Sequence, residues 1–148
     1  MVFDENAERV VRSLQRPVMV VNGDYKAPER FVIAFDGSET GRKMVQMVAA
    51  SPLLKGLECH VLSVSDASEA LVEGLAWARE MLEGEGFAVT AVIRGGEPEV
   101  TLRDYITEIR AHVLVMGAYG HSRIRHLIMG STTTTLLRTS PIPVLVLR

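Results

Sequence analysis

The 148-residue chain is as informative in what it lacks as in what it holds. It has one cysteine, Cys59, which excludes an internal disulfide framework and a cysteine-rich zinc site. A lone thiol fits a reducing cytosol, so a cytoplasmic location is the expectation. Neither sign of charge dominates. Sixteen Lys and Arg against eighteen Asp and Glu leave a net charge of −2, which argues against a dedicated nucleic-acid or polybasic membrane binder. No apolar run approaches the ~20 residues that a membrane helix requires. Residues Met1 to Arg12 carry Asp4, Glu5 and Glu8 with no apolar core, so they do not read as a secretory signal. What remains is 47% hydrophobic and 23% charged, the composition of one ordinary globular domain. A chain of this length buries roughly 70% of its unfolded surface without staples.

Two patterns alternate along it. Apolar runs rich in β-branched residues lie at Pro17–Val21, Arg30–Phe35, Leu57–Val64, Phe87–Ile93, Val113–Met116 and Pro143–Leu147. Runs of that length between turn signals read as buried strands. Helix-period segments separate them. Met44, Val45 and Val48 follow Gly41 at helical spacing. Leu71, Gly74, Leu75, Ala78 and Leu82 form a second stripe, and Leu102, Tyr105, Ile106 and Ile109 a third. Gly84 and Gly86 end the second helix, and Pro98 sits where a first-turn proline is tolerated. Strands apolar on both faces and alternating with helices predict a parallel sheet covered on both sides. Ligands in such sheets bind beyond the carboxyl ends of the strands, where the strand order reverses. The places to search are therefore Phe35-Asp36-Gly37, Ser63-Val64-Ser65-Asp66 and Val115-Met116-Gly117.

The two ends of the chain resemble each other. Ala7, Val10, Val11 and Leu14 make a short amphipathic helix before Pro17-Val18-Met19-Val20-Val21. Leu136-Leu137-Arg138-Thr139 precede Pro143-Val144-Leu145-Val146-Leu147. At one fixed offset Arg12 matches Arg138 and Pro17 matches Pro143. Residues 1–22 then read as the last helix and strand of a preceding copy, 23–29 as a linker, and 30–148 as one complete unit. The parent would be a tandem protein of nearly twice this length. A chance likeness between two common helix–strand pairs is the other reading.

The most informative stretch begins at Gly117 and reaches Thr135. Gly117 lets the chain turn sharply out of the sheet, and Gly120 permits a second tight turn. Gly130 and Ser131 open the last helix. The free N–H groups of Ser131, Thr132 and Thr133 would converge on one spot that the helix dipole makes favourable for an anion. Two better-known phosphate loops are missing. Gly37-Ser38-Glu39-Thr40-Gly41-Arg42-Lys43 has the wrong spacing for a Walker A loop, and no Gly-x-Gly-x-x-Gly follows the first strand.

The spacing Gly, two residues, Gly, nine residues, Gly-Ser resembles the nucleotide motif of the universal stress protein family. The resemblance runs from about Arg30 to Arg148 and includes a first strand ending in Asp36 and a terminal Pro-Val-Leu-Val-Leu strand. It implies an α/β three-layer sandwich. The five-stranded parallel sheet would have order 3-2-1-4-5, counted from the Arg30 strand, with helices on both faces and the N-terminal helix–strand added. It also implies ATP, with or without Mg, at the switch between the first and fourth strands. Asp36 would lie beside the adenosine and the Val64 backbone would meet the adenine edge. Gly117 and Gly120 would flank the ribose and α-phosphate, and Gly130, Ser131 and Thr132 would hold the phosphates. The complete glycine set places the chain with the ATP-binding branch of the family.

Plainer readings stand beside these. The glycines also read as ordinary turn residues and Ser131 as a helix cap, though their spacing after a strand favours the cradle. Asp36 or Ser38 caps the helix that follows, a role compatible with ligand binding. His121 and Arg123 either neutralise a triphosphate or belong, like Arg125 and His126, to a solvated loop. His60 and His112 are too dispersed for a metal site. Cys59 reads as a small core residue, Trp77 and Met81 as packing.

Three functions follow from different classes. The first is a nucleotide-binding regulatory module of the stress response. The second is a slow ATPase using His121 and Ser122, for which the sequence offers no carboxylate pair or P-loop lysine. The third is a dimerisation unit with a vestigial site. Its apolar terminal strand would pair at 143–147 with 17–21, within one chain or between two.

Overall fold

A computed structural model describes residues 18–21, 27–117, 135–136 and 138–147. Six strands run through them: β1 (Val18–Val20), β2 (Arg30–Ala34), β3 (Glu58–Val64), β4 (Ala88–Arg94), β5 (Val113–Gly117) and β6 (Val144–Leu147). Three helices cross between them: α1 (Glu39–Ala50), α2 (Glu69–Gly84) and α3 (Pro98–Ile109). The sheet order is β1-β6-β5-β2-β3-β4. β2 pairs in parallel with β3 and β5, β4 with β3, and β6 with β5. Counted from Arg30, this is the expected 3-2-1-4-5 order. The sheet has six strands rather than five and is mixed, because β1 adds to β6 in antiparallel register. The helix expected before Pro17 lies outside the described residues.

Alternation along the strands divides the core into two layers. Phe31 and Ile33 of β2 face one side, with Val113, Val115, Leu145 and Leu147 from the strands and Met44, Val45, Leu75, Ala78 and Leu82 from α1 and α2. Val32 faces the other side, with Leu114, Val144 and Val146 and with Leu102, Tyr105 and Ile106 of α3. Both faces are dry, which is why the strands read as apolar runs rather than alternating ones.

The helices start where their caps dictate. Ser38 Oγ accepts from Gly41 N at 3.0 Å, Ser68 Oγ from Leu71 N at 3.1 Å, and a Glu97 carboxylate oxygen from Val100 N at 3.0 Å. Each supplies one of the acceptors that a helix N-terminus lacks. Pro98 occupies the first turn of α3, as its position predicts. Gly86 past the end of α2 has φ +93°, a conformation that side chains resist. All three N-termini lie at the carboxyl edge of the sheet, the edge singled out for ligand binding.

Candidate functional site

At that edge lies a cavity of about 380 Å³, within the roughly 300–1,000 Å³ usual for small-ligand sites. Its floor is the ends of three strands: Ala34, Phe35 and Asp36 after β2, Leu62 to Ser65 at the end of β3, and Met116 and Gly117 of β5. Its walls are the first turns of α1 and α2, with Pro98 and Leu102 of α3 opposite. The β3-β2-β5 junction is where the strand order reverses, because the chain leaves β4 at one edge and returns beside β2. The cavity therefore follows from topology, and the side chains decide what it suits.

Asp36 is the one charged residue among the described lining residues. Its Oδ1 accepts from Ser38 N at 2.9 Å and from Ser38 Oγ at 2.5 Å. Ser38 in turn caps α1. The helix cap is thus Ser38, and Asp36 braces the cap from the strand end while bordering the cavity. Gly37 between them has φ +79°, which the tight Asp36–Ser38 turn requires. Gly41 completes the arrangement. An added Cβ there would stand 2.9 Å from Asp36 Oδ1 and 3.2 Å from the Phe35 ring.

Val64 closes β3 half-buried on the cavity, and Ser65 N–H beyond it donates to Arg94 O at 2.9 Å. Ser63 is buried and donates its hydroxyl to Phe35 O at 2.6 Å, tying the ends of β2 and β3 together. Gly117 ends β5 on the cavity, and a Cβ there meets no described residue within 4 Å. The described part of the site is thus apolar and rich in small hydroxyls, with a single carboxylate. That chemistry suits an uncharged, donor-bearing group better than a phosphate.

The structure brings Asp36, Val64 and Gly117 to one cavity. Gly120, His121, Gly130, Ser131 and Thr132 lie outside the described residues. Sequence reasoning missed Gly41, Ser68 and Pro98 as site residues, and gave Ser63, within a strand end it singled out, no role. Gly41 had a readable signal: a glycine in a first helical turn costs about 1 kcal/mol unless space demands it.

The remaining candidates sit elsewhere. His60 is buried, with Nδ1 2.8 Å from Tyr105 Oη and Nε2 3.2 Å from Glu58. His112 Nδ1 accepts from the backbone N–H groups of Glu29 and Arg30. Among the described residues no group of three His, Cys, Asp or Glu is placed to hold a metal, and no helix is long and apolar enough to cross a membrane. Cys59 is buried and unpaired, and burial pushes its thiol up to about 12. Trp77 and Met81 pack against the α1–α2 core layer, and the Arg42 guanidinium lies over the Trp77 ring.

An open doubly wound sheet with a cavity at its switch point defines an α/β domain with a candidate small-ligand site. The sequence profile of the universal stress protein family matches residues 28–148, and the chain belongs to that family. Universal stress protein Slr1230 of Synechocystis sp. is 36% identical over 145 residues, covering 97% of this chain and 50% of that protein. A universal stress protein from Archaeoglobus fulgidus superposes with a TM-score of 0.76 at 25% identity, covering 96% of this chain and 53% of that one. The chain thus spans about half the length of both. A universal stress protein solved in complex with cAMP superposes at 0.69 with 22% identity, covering 83% and 98% of the two chains. An A. fulgidus member in complex with dAMP and an Arabidopsis thaliana member with AMP bound share the fold at TM-scores of 0.63 and 20% and 16% identity.

Proposed function

We propose that this chain holds an adenine nucleotide in the cavity at the ends of β2, β3 and β5 and works as a nucleotide-responsive regulatory module of the stress response. One observation carries the reading: a largely apolar cavity at the switch point that, among the described residues, has one carboxylate, Asp36, and a glycine, Gly117, where an added Cβ meets no described residue within 4 Å. The nucleoside occupies this part, with the Val64 backbone at the base edge and Asp36 accepting from its donors. The phosphates extend toward Gly120, His121, Gly130, Ser131 and Thr132, where the glycine spacing and helix start favour an anion. Family members in complex with cAMP, dAMP and AMP support the ligand class. The complete glycine set supports ATP, with or without Mg, as the ligand of this chain.

In the same reading, residues 1–22 are the closing helix and strand of a preceding copy, joined through 23–29 to the unit at 30–148. The pairing of β1 with β6 supports this, as does the twofold length of two relatives.

Calorimetric titration of the purified chain with ATP and with AMP tests the ligand. Saturable binding at one site per chain is expected, abolished by Gly130→Asp for ATP. Equal affinity in that variant removes the phosphate assignment, and no heat with either nucleotide removes the function.

A further inference from the structure

β3 runs further than its neighbour on the cavity side. The last β2–β3 pair is Ala34 with Leu62, whereas β3 and β4 stay paired as far as Val64 and Arg94. In a parallel ladder one member of each pair bonds across with both its backbone groups, and the other turns both of its own away. Ser65 N–H donates to Arg94 O at 2.9 Å, so Arg94 is the bonding member of its pair. The N–H and C=O of Val64 therefore point toward β2, past its last paired residue, on the side of the cavity that Val64 lines. They offer one donor and one acceptor side by side. Beyond Leu62, the strand that keeps this end in the sheet is β4.

The backbone of β4 is a poor anchor by itself. It is the outer strand of the sheet on that side. Arg94 is followed by Gly95 and Gly96, the second with φ +116°. An outer strand that runs into two glycines frays at its end. The Arg94 side chain offsets this. Its Nη2 lies 2.7 Å from a Glu108 carboxylate oxygen on α3, and its guanidinium stands 4.8 Å from the centre of the Tyr105 ring. Tyr105 is fixed in turn. Its hydroxyl lies 2.8 Å from His60 Nδ1, and His60 Nε2 lies 3.2 Å from Glu58. Tyr105 and His60 are both buried.

The Arg94 and Glu108 side chains are 39% and 54% exposed, so their ion pair adds little to the stability of the whole domain. What it holds is local: the end of β4 and, across the ladder, the Val64 edge.

We infer that Arg94 is a positioning residue for the base: clamped to Glu108 and Tyr105 of α3, it fixes the Val64 N–H and C=O so that they read the 6-amino edge of an adenine. The inference rests on the nucleotide reading above and adds what sets its base selectivity. A base that lacks the 6-amino group leaves the carbonyl without a donor, and the mismatch counts only while the strand end cannot shift to accommodate it.

Calorimetric titrations of the full chain with ATP and with its analogue lacking the 6-amino group, purine riboside triphosphate, test this. The wild-type chain is expected to prefer ATP by about tenfold, the share of one well-placed hydrogen bond. In Arg94→Met the preference falls to about twofold, because ATP binding weakens while the analogue binds as before. Arg94→Lys, which keeps a cation for Glu108 and Tyr105, restores part of it. Glu108→Gln breaks the clamp from α3, lowers the preference in the same direction, and serves should Arg94→Met fail to fold. Hydrogen exchange at the Ser65 amide, read without nucleotide, is expected to quicken in the same variants. A merely structural role would lower both affinities together. That result overturns the inference and leaves the function standing, as does an unchanged preference in a folded variant, a wild type without preference, or an unchanged Ser65 amide. No binding of ATP by wild type removes the function and the inference with it.

Discussion

Gly41→Ala is the substitution on which the site's construction is most exposed. Alanine in a helix is ordinarily favoured over glycine by about 1 kcal/mol. At Gly41 the new Cβ would lie 2.9 Å from Asp36 Oδ1 and 3.2 and 3.3 Å from two Phe35 ring carbons. None of these can retreat easily. Asp36 Oδ1 is held by Ser38 N and Ser38 Oγ, and Phe35 is buried. Overpacking of this kind costs about 1–3 kcal/mol; relieving it by giving up one hydrogen bond to the carboxylate costs about 1.5–3 kcal/mol instead. Against the propensity gain, the variant should be less stable by about 1–2 kcal/mol. Gly84→Ala is the control. It lies at the end of α2 with no described residue within 4 Å of an added Cβ, and should gain up to about 1 kcal/mol. Urea unfolding followed by circular dichroism reads both as shifts of the midpoint at constant slope, on the order of 0.5 M each and in opposite directions. If the Gly41→Ala midpoint rises alongside that of Gly84→Ala, the Asp36–Ser38–Gly41 arrangement does not constrain this corner. Because the same carboxylate borders the cavity, Gly41→Ala should also weaken nucleotide binding, and Gly84→Ala should not.

Ser63→Ala removes the 2.6 Å bond to Phe35 O and should lower stability by about 1 kcal/mol in the same unfolding assay; no change would show that the hydroxyl ties nothing together. Tyr105→Phe takes the hydroxyl from buried His60 and should cost about 1–3 kcal/mol, and a cost near zero would remove that pair from the account. The Cys59 thiol is raised by burial from 9.0 to about 12, so the folded chain disfavours the thiolate. Its contribution is fully present below the unfolded value and is lost as pH rises toward the folded one. Comparing wild type with Cys59→Ala from pH 8 upward should show the extra loss of stability only in wild type, and parallel curves would contradict it.

The sheet was legible because its signals are local and redundant. Phe31 to Ile33, Val61 and Leu62, and Val113 to Met116 are apolar at successive positions, which two buried faces demand. Ends were less legible than middles: β6 begins one residue after Pro143, which has no N–H for a ladder. The floor of the site was readable from strand termini alone, since topology places Asp36, Val64 and Gly117 together. The division of labour between Asp36 and Ser38 was not, because both have cap-forming side chains and only geometry shows that one braces the other. Gly41 looked like one more small residue on a helix face. Its role depends on a contact to Asp36 that no periodicity encodes.

The central claim is that the space beside Gly117 is where the nucleotide sits. A Cβ added at Gly117 meets no described residue within 4 Å, so Gly117→Val should fold with little change in stability while adding bulk at a residue that lines the cavity. Parallel calorimetric titrations of wild type and Gly117→Val with ATP and AMP measure this directly. The account predicts binding by wild type and at least a tenfold loss in the variant, with unfolding midpoints that agree. Undiminished affinity in a well-folded Gly117→Val would contradict it.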